Sequence, residues 1–375
     1  MTTKYNFVKQ AIMSKIIDGT YEENKRICSE SEMMKQYGVS RHTVRIAISE
    51  LVNKGWLYRE QGVGTFCRGI VKDEPSTIVK QKNIAIVVTF ISDYIFPSII
   101  KGAESYLSEQ GYNVSLFSTN NNPETEKRIL ERIITNHFDG IIIEPTKSAL
   151  INQNIKYYLS IEQKKIPYIM LHAYYNELEP ISVTLDDEKG GFLQAEHLIQ
   201  LGHRNMVGIF KTDDIQGVKR MKGYIKAHRI YNIPIHSNSI VTYDSKDRFN
   251  KPIEALKQML ALSSSDKPTG IVCYNDELAI RFLDVFREKR IQIPNDISLV
   301  GYDDSYMGNV TEVKLTTIQH PKSQMGELAA KMIVDMVNKK SKENGRQVMK
   351  SITSVVLEPK LIVRSSTKSL NLINK

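Results

Sequence analysis

Residues 29–64, SESEMMKQYGVSRHTVRIAISELVNKGWLYREQGVG, admit few folds. Ser29 and Glu32 have the spacing at which each side chain satisfies a free backbone N–H at a helix start. Met33, Met34 and Tyr37 give that helix a buried side. Gly38 stands where the chain must turn sharply without a Cβ in the way, and Ser40 is placed to cap a second helix. In the second helix Val44, Ala47, Ile48 and Leu51 recur at helical spacing and should face inward. Trp56-Leu57-Tyr58 and Thr65-Phe66-Cys67 then flank Gln61-Gly62-Val63-Gly64. Two glycines in a short loop between apolar runs predict a hairpin. Helix, turn, helix and hairpin together make a winged helix.

The inward set leaves Arg41, His42, Thr43, Arg45 and Ser49 at the front or on the outer face of the second helix. Such side chains reach base edges and phosphates when a helix enters a major groove. The hairpin tip at Gln61 and Gly62 has almost no bulk, so its backbone is free to approach a phosphate or the minor groove. A further helix is expected over residues 4–17, with Tyr5, Val8, Ile12 and Ile16 in one stripe and Asp18-Gly19 as its stop. The helix completes the core under the helix-turn-helix, and Lys4 or Tyr5 can touch phosphate there, with a solvated side chain as the equal alternative for each alone. The plainer alternative is a small helical scaffold with solvated arginines. The turn glycine, the exposed arginine pair and the glycine-bearing hairpin argue jointly against it.

Charge points the same way. The 375 residues carry a formal net charge of +9, which favours a polyanionic partner. Residues 1–70 hold eleven Lys and Arg against seven Asp and Glu, so a fifth of the chain has almost half the excess. The three cysteines, Cys28, Cys67 and Cys273, are far apart and odd in number, which suits a reducing cytoplasm better than a disulfide framework. The N-terminal MTTKYNFVKQ lacks the apolar run of a signal peptide, and no segment approaches the ~18 apolar residues of a membrane span. A soluble, cytoplasmic protein is expected.

Residues 69–82 are polar, contain Pro75 and show no period, as a linker does. From Asn83 onward, β-rich runs alternate with helical ones, for example Ile84–Phe90, Ser98–Gln110, Asn113–Phe117, Pro123–Asn136, Gly140–Glu144, Asn152–Lys165 and Tyr168–Leu171. Repeated β-α-β units predict a parallel sheet with right-handed crossovers. The alternation restarts after about Thr184, with helix 188–201, strand Asn205–Phe210, helix 216–231, strand Gly270–Tyr274, helix 277–290 and strand Ile297–Tyr302. Two such sheets in succession predict two similar lobes with a cleft between them. Residues 315–375 read as strand, helix and strand, crossing back between lobes. The expected organisation is a winged helix over 1–68, a linker over 69–82 and a two-lobed α/β domain over 83–375.

Ligands of open α/β sheets sit at the carboxyl ends of strands. The polar residues there are Asp93 and Tyr94, Glu144 and Lys147, and His172 in the first lobe. In the second they are Asn275-Asp276 and Asp303-Asp304, with Arg220 on the helix after Phe210. Planar Asp, Asn and Arg groups match adjacent sugar hydroxyls, and Tyr94 or Phe96 offers a ring to a sugar's C–H face. Each hydrogen bond contributes only ~1 kcal/mol net, so several must converge. Asp276 and Asp304 taken singly read more simply as a helix cap and a strand-end turn.

The stretch CSESEMMKQYGVSRHTVRIAISELVNKGWLYREQGVGTFC resembles the winged-helix domain of the GntR family of bacterial regulators. Cys28 stands where that family usually has proline; the cap Ser29 and the turn Gly38 remain. Residues 83–368 resemble the sugar-binding domain of LacI/GalR repressors. The motifs are TLDDEKGG (184–191), HLIQLGHRNMVGIF (197–210), VKRMKGY (218–224), CYNDELAI (273–280), ISLVGYDDS (297–305) and LTTIQHPKSQMGELAA (315–330). The pairing, with ISDYIFPSIIKGAESYLSEQGY (91–112), STNNNPE (118–124) and EPTKSAL (144–150), resembles the arabinose-responsive repressors of bacilli.

That resemblance implies a homodimer on double-stranded operator DNA, released by L-arabinose or a related pentose and needing no cofactor. The expected DNA-contact set, from the reading of the helices and hairpin, is Lys4, Tyr5, Glu30, Ser40, Arg41, His42, Thr43, Arg45, Gln61 and Gly62. By family position Arg220, Asn275 and Asp303 match ligand residues, Asp276 adjoins them and His320 is a polar cleft residue. Strand-end reasoning adds Tyr94, Phe96, Glu144, Lys147 and His172. The rival readings are a repressor of another sugar, a sugar-binding protein without a DNA role, and an enzyme. Against an enzyme, no G-x-G-x-x-G follows a strand, no phosphate-binding G-x-x-x-x-G-K-[ST] occurs and no His/Cys cluster has metal spacing. The carboxylates of Asp186-Asp187 and Asp303-Asp304 are adjacent in sequence, so they diverge rather than flank one bond.

Overall fold

The computed structural model describes residues 4–17, 20–53, 55–60, 63–68, 82–92, 94–236, 238–263, 266–342 and 352–370. Asp18-Gly19, Gln61, Gly62, Asp93 and residues 69–81 of the expected linker lie outside the described residues. The chain divides into two compact units, Met1–Lys80 and Gln81–Lys375.

The first unit contains α1 (Lys4–Ile17), α2 (Glu30–Tyr37), α3 (Arg41–Asn53) and the strands β1 (Leu57–Glu60) and β2 (Gly64–Cys67). The cap of α2 is reciprocal: Ser29 Oγ accepts from the Glu32 N–H at 3.3 Å, and Glu32 accepts from the Ser29 N–H at 2.7 Å. Gly38 ends α2 at φ +60°, where a side chain would strain the backbone, and donates its N–H to Met34 O at 3.0 Å. Val8, Ile12, Met33, Val44, Ala47 and Leu51 meet in a fully buried core. The hairpin is antiparallel from Leu57↔Cys67 to Glu60↔Gly64. On the hairpin the Tyr58 and Phe66 rings stack at 5.5 Å.

In the second unit, the first lobe runs β3 (Lys82–Val88), α4 (Phe96–Glu109), β4 (Tyr112–Ser118), α5 (Pro123–Thr135), β5 (Gly140–Ile143), α6 (Ile155–Gln163), β6 (Tyr168–Leu171) and β7 (Ser182–Leu185). The second lobe runs α7 (Asp187–Gln200), β8 (Met206–Lys211), α8 (Ile215–Ile230), β9 (Ile240–Tyr243), α9 (Lys251–Leu260), β10 (Gly270–Cys273), α10 (Asp276–Glu288), β11 (Ser298–Asp303), α11 (Tyr306–Val310) and β12 (Thr316–Gln319). The chain then recrosses: α12 (Lys322–Lys342) and β13 (Val355–Leu357) join the first lobe, and β14 (Lys360–Ile362) joins the second. The sheets have the orders β13-β7-β6-β5-β3-β4 and β14-β12-β11-β10-β8-β9. All their pairings are parallel except β12 with β14.

Strands covered on both faces must be apolar throughout. GIII, YIML and GIVC obey this, with every residue buried. Helix α12 packs on α4 through glycines; a Cβ on Gly326 would come 2.0 Å from Ile99 O. Asn122 caps α5 ahead of Pro123, accepting from the Glu124 N–H at 2.9 Å. The sequence placed these elements but was silent on β7, β9, α9 and α11, and it read one strand after α12 where β13 and β14 stand. It also began β3 two residues late, since Lys82 is already paired with Tyr112.

Candidate functional site

The first unit presents the front of α3. Ser40 Oγ accepts from the Thr43 N–H at 3.3 Å and so caps the helix, and the Thr43 hydroxyl lies 2.9 Å from it. Arg41, His42 and Arg45 are exposed. Glu30 gathers the arginines: its two oxygens accept from Arg45 Nε at 3.1 and 3.0 Å, and Arg41 Nε lies 3.4 Å away. Exposed pairs of this kind add little stability, but they hold two long side chains on one face. Tyr5 is half-buried, with the Lys9 ammonium 5.7 Å from its ring centroid. Lys4 begins α1, and its side chain, like Gln61 and Gly62, lies outside what is described.

The second unit has a cavity of about 490 Å³ between its lobes, at the carboxyl ends of the strands. Eight expected residues line it: Tyr94, Phe96, Glu144 and His172 from the first lobe, Arg220, Asn275 and Asp303 from the second, and His320 beyond β12. Arg220 is held on several sides. Its Nε donates to Asp187 Oδ1 at 2.8 Å and its Nη1 to the Tyr274 carbonyl at 2.8 Å. Nη2 lies 3.6 Å from Asp303 Oδ1, and the guanidinium carbon is 3.5 Å from the Tyr302 ring centroid. Burial opposes this charge, but Asp187 and Asp303 outweigh burial and hold the guanidinium pKa well above its ordinary value. The helices carrying the pair cross closely because Gly191 has no side chain; a Cβ there would meet Arg220 O at 2.1 Å.

Glu144 accepts from the Thr89 N–H at 2.7 Å and from its hydroxyl at 2.5 Å. Its other oxygen lies 2.9 Å from His172 Nδ1. The carboxylate holds the ring through Nδ1 and leaves Nε2 facing the cavity. His172 Nε2, His320 Nδ1 and Asp303 Oδ1 are buried without a hydrogen-bond partner. Buried polar atoms are normally satisfied, so orphans that converge on one cavity mark a ligand site. The two histidine rings are 5.1 Å apart, and Phe96 lies 6.1 Å from His172. Burial holds His320 neutral, its pKa well below the usual histidine range, with His172, Lys322 and Arg220 adding to the effect. Backbone strain collects at the same strand ends: Tyr94, His172 and Asp303 have φ of +62°, +62° and +93°.

Two expected residues do not line the cavity. Asp276 is fully buried; its oxygens accept from the Ser305 N–H and the Thr317 hydroxyl, both at 2.7 Å, which ties together the ends of β10, β11 and β12. Burial raises its pKa to about 7. Lys147 bends the β5–α6 loop at φ +46° and donates its N–H to Asn121 at 2.9 Å. Asn275 lines the cavity while capping α10, its Oδ1 accepting from the Leu278 N–H at 3.0 Å. Tyr94 does more than offer a ring: its hydroxyl donates to the Tyr302 carbonyl at 3.0 Å and accepts from the Asp276 N–H at 3.1 Å, so it links the lobes. Asp304, the expected turn residue, pairs with Arg364 at 2.6 Å. Sequence reasoning missed Asp187, Lys211, Asp214 and Tyr274. Lys211 lies 3.0 Å from Asp214, which also accepts from the Tyr274 hydroxyl at 2.7 Å. Lys211 ends β8, so the strand-end rule extended to that strand would have found it.

Residues 4–67 match the bacterial regulatory proteins of the gntR family, and residues 195–367 match the periplasmic binding protein-like domain. The arabinose metabolism transcriptional repressor of Halalkalibacterium halodurans is 54% identical over 98% of this chain and 97% of its own length. The chain belongs to the family of arabinose metabolism transcriptional repressors. The member of that name from Geobacillus stearothermophilus is 46% identical over 98% of each chain. Among solved structures, a LacI family transcriptional regulator from Enterococcus faecium with bound ribose matches with a TM-score of 0.63 and 26% identity, covering 77% of this chain and all of that one. The repressor therefore joins a GntR-type winged helix to a LacI-like sugar-binding fold, and it is a DNA-binding regulator rather than an enzyme. No helix among the described residues is long and apolar enough to cross a membrane.

Proposed function

We propose that the repressor acts as a cytoplasmic homodimer on near-palindromic operators of arabinose and pentose utilisation genes, and that L-arabinose in the cleft releases it. The observation that carries the sugar half is the convergence of orphaned polar atoms of His172, His320 and Asp303 around the fixed guanidinium of Arg220. A charged fork beside a carboxylate suits adjacent hydroxyls, the orphaned imidazole nitrogens hydrogen-bond others, and Phe96 covers a C–H face. The DNA half rests on Arg41 and Arg45, gathered by Glu30 on the exposed front of α3. Arg45, with Arg41, donates to guanine acceptors or phosphate, while Lys4, Tyr5, Gln61 and Gly62 engage the backbone or minor groove.

The sugar changes DNA affinity only through its differential affinity for two arrangements of the lobes. Binding residues drawn from both lobes supply that difference. A gel shift on the repressor's own upstream DNA, with a panel of sugars titrated in, tests the reading. Retardation reversed by L-arabinose is expected. Reversal by another pentose alone would reassign the effector, and no retardation at low salt would overturn the proposal.

A further inference from the structure

The cavity is graded from end to end. At its inner end Arg220, Asp303 and His172 have side chains only 5%, 4% and 7% exposed. The same cavity continues outward to Phe90, Arg248, Glu277 and Arg281, where Glu277 is 43% exposed. Flat groups run between the two ends in unbroken contact. His320 lies 5.1 Å from His172, which is 6.1 Å from Phe96; Phe96 is 6.0 Å from Phe90, and the Arg248 guanidinium is 5.3 Å from Phe90. Arg248 and Arg281 both lie over the Phe249 ring, at 4.5 and 4.2 Å from its centroid. Arg281 is occupied by Glu277 and by the Arg248 carbonyl. The guanidinium of Arg248 donates no hydrogen bond among the described residues.

Pockets of roughly 300–1,000 Å³ take drug-sized ligands, whereas a pentose has only about ten non-hydrogen atoms. A cavity of about 490 Å³ thus has room beyond one ring, and the extra room carries a stacking surface and an uncommitted planar donor. We infer that the outer end is a second sugar subsite, so that the cleft takes a short pentose oligosaccharide as well as the monosaccharide. The inner end binds one pentosyl ring. The next ring lies along Phe90, with its hydroxyls on Arg248. This rests on the sugar-cleft reading above.

The test is calorimetry on the full-length repressor with L-arabinose and, separately, with an arabinose disaccharide, for wild type and Arg248→Ala. The disaccharide should bind one per chain and compete with L-arabinose. Arg248→Ala should weaken the disaccharide about tenfold and leave L-arabinose within about twofold. Thermal melting of the variant near the wild-type temperature excludes a folding defect, and Arg248→Lys provides a second, milder replacement. If L-arabinose binds but the disaccharide does not at millimolar concentration, or if Arg248→Ala and Arg248→Lys weaken both sugars equally, the second subsite is overturned. If L-arabinose itself fails to bind wild type, the sugar-cleft reading fails first and this inference with it.

Discussion

On the proposed reading, Arg220 is structural and functional together. Two of its nitrogens are committed to Asp187 and Tyr274, which fixes where the third nitrogen points. Removing it leaves buried carboxylates without a countercharge, a loss of about 3–5 kcal/mol. Arg220→Ala should therefore lower stability in chemical denaturation by that order and abolish sugar heats in calorimetry. Arg220→Lys keeps the charge but not the planar fork, so it should recover more stability than sugar binding. In the DNA-binding unit, Arg45→Ala should cost ~1–3 kcal/mol of specific operator binding in a filter or gel assay, with sugar affinity unchanged.

His320 gives a pH dependence of definite sign. Its folded pKa lies well below 6.5, its unfolded value. Below about 6.5 the unfolded chain takes up a proton that the folded chain refuses, so acid favours unfolding through this group. Its contribution is intact above that pH and is lost as pH falls. Denaturation of the sugar-free repressor from pH 8 to 5 should show a steeper loss in wild type than in His320→Gln.

At the scale of elements, close helix contacts set the geometry of the first lobe. With Ile99 O only 2.0 Å from where a Gly326 Cβ would sit, Gly326→Ala must push α12 off α4. Overpacking of this kind costs typically 1–3 kcal/mol, which a shift of the denaturation midpoint would register. The long helices and central strands were legible because their signals are local. Asn122-Pro123 opens α5, the Ser29–Glu32 box opens α2, and GIII or YIML can be little but buried strand. The elements that were missed lack such marks. Strand β9 has four residues and is a half-buried edge, Asn250 leads into α9 without a side-chain cap, and β13 and β14 are so short and close together that they read as one strand. Cavity-lining residues were legible where a polar side chain ends a strand, as with Glu144, His172 and Asp303. Asp187 and Tyr274 escaped because their role comes from Arg220, which folding alone brings to them. Lys147 and Asp276 obey the same strand-end rule yet serve the loop and the sheet, so the rule finds the neighbourhood rather than the role.

Across the second unit as a whole, hydrogen bonds join the two lobes. Tyr94 makes two of them with one hydroxyl, and Asn121 donates to Ser245 at 2.9 Å beside it in function. Each net bond contributes about 1 kcal/mol, so Tyr94→Phe should disfavour this lobe arrangement by about 2 kcal/mol. The dissociation constant for L-arabinose should rise by about tenfold or more in calorimetry, and more sugar should be needed to clear the operator. A variant that bound sugar as tightly as wild type would show that the hydroxyl bonds do not set the arrangement.

The backbone passes between the lobes at α7, at α12 and again between β13 and β14, so neither half is a continuous piece of gene. The final crossing places an edge strand on each sheet from residues only a few positions apart. A ribosome stalled before Val355 would therefore release a product damaged in both halves, and no cut of the coding sequence could yield either half intact for separate expression or exchange.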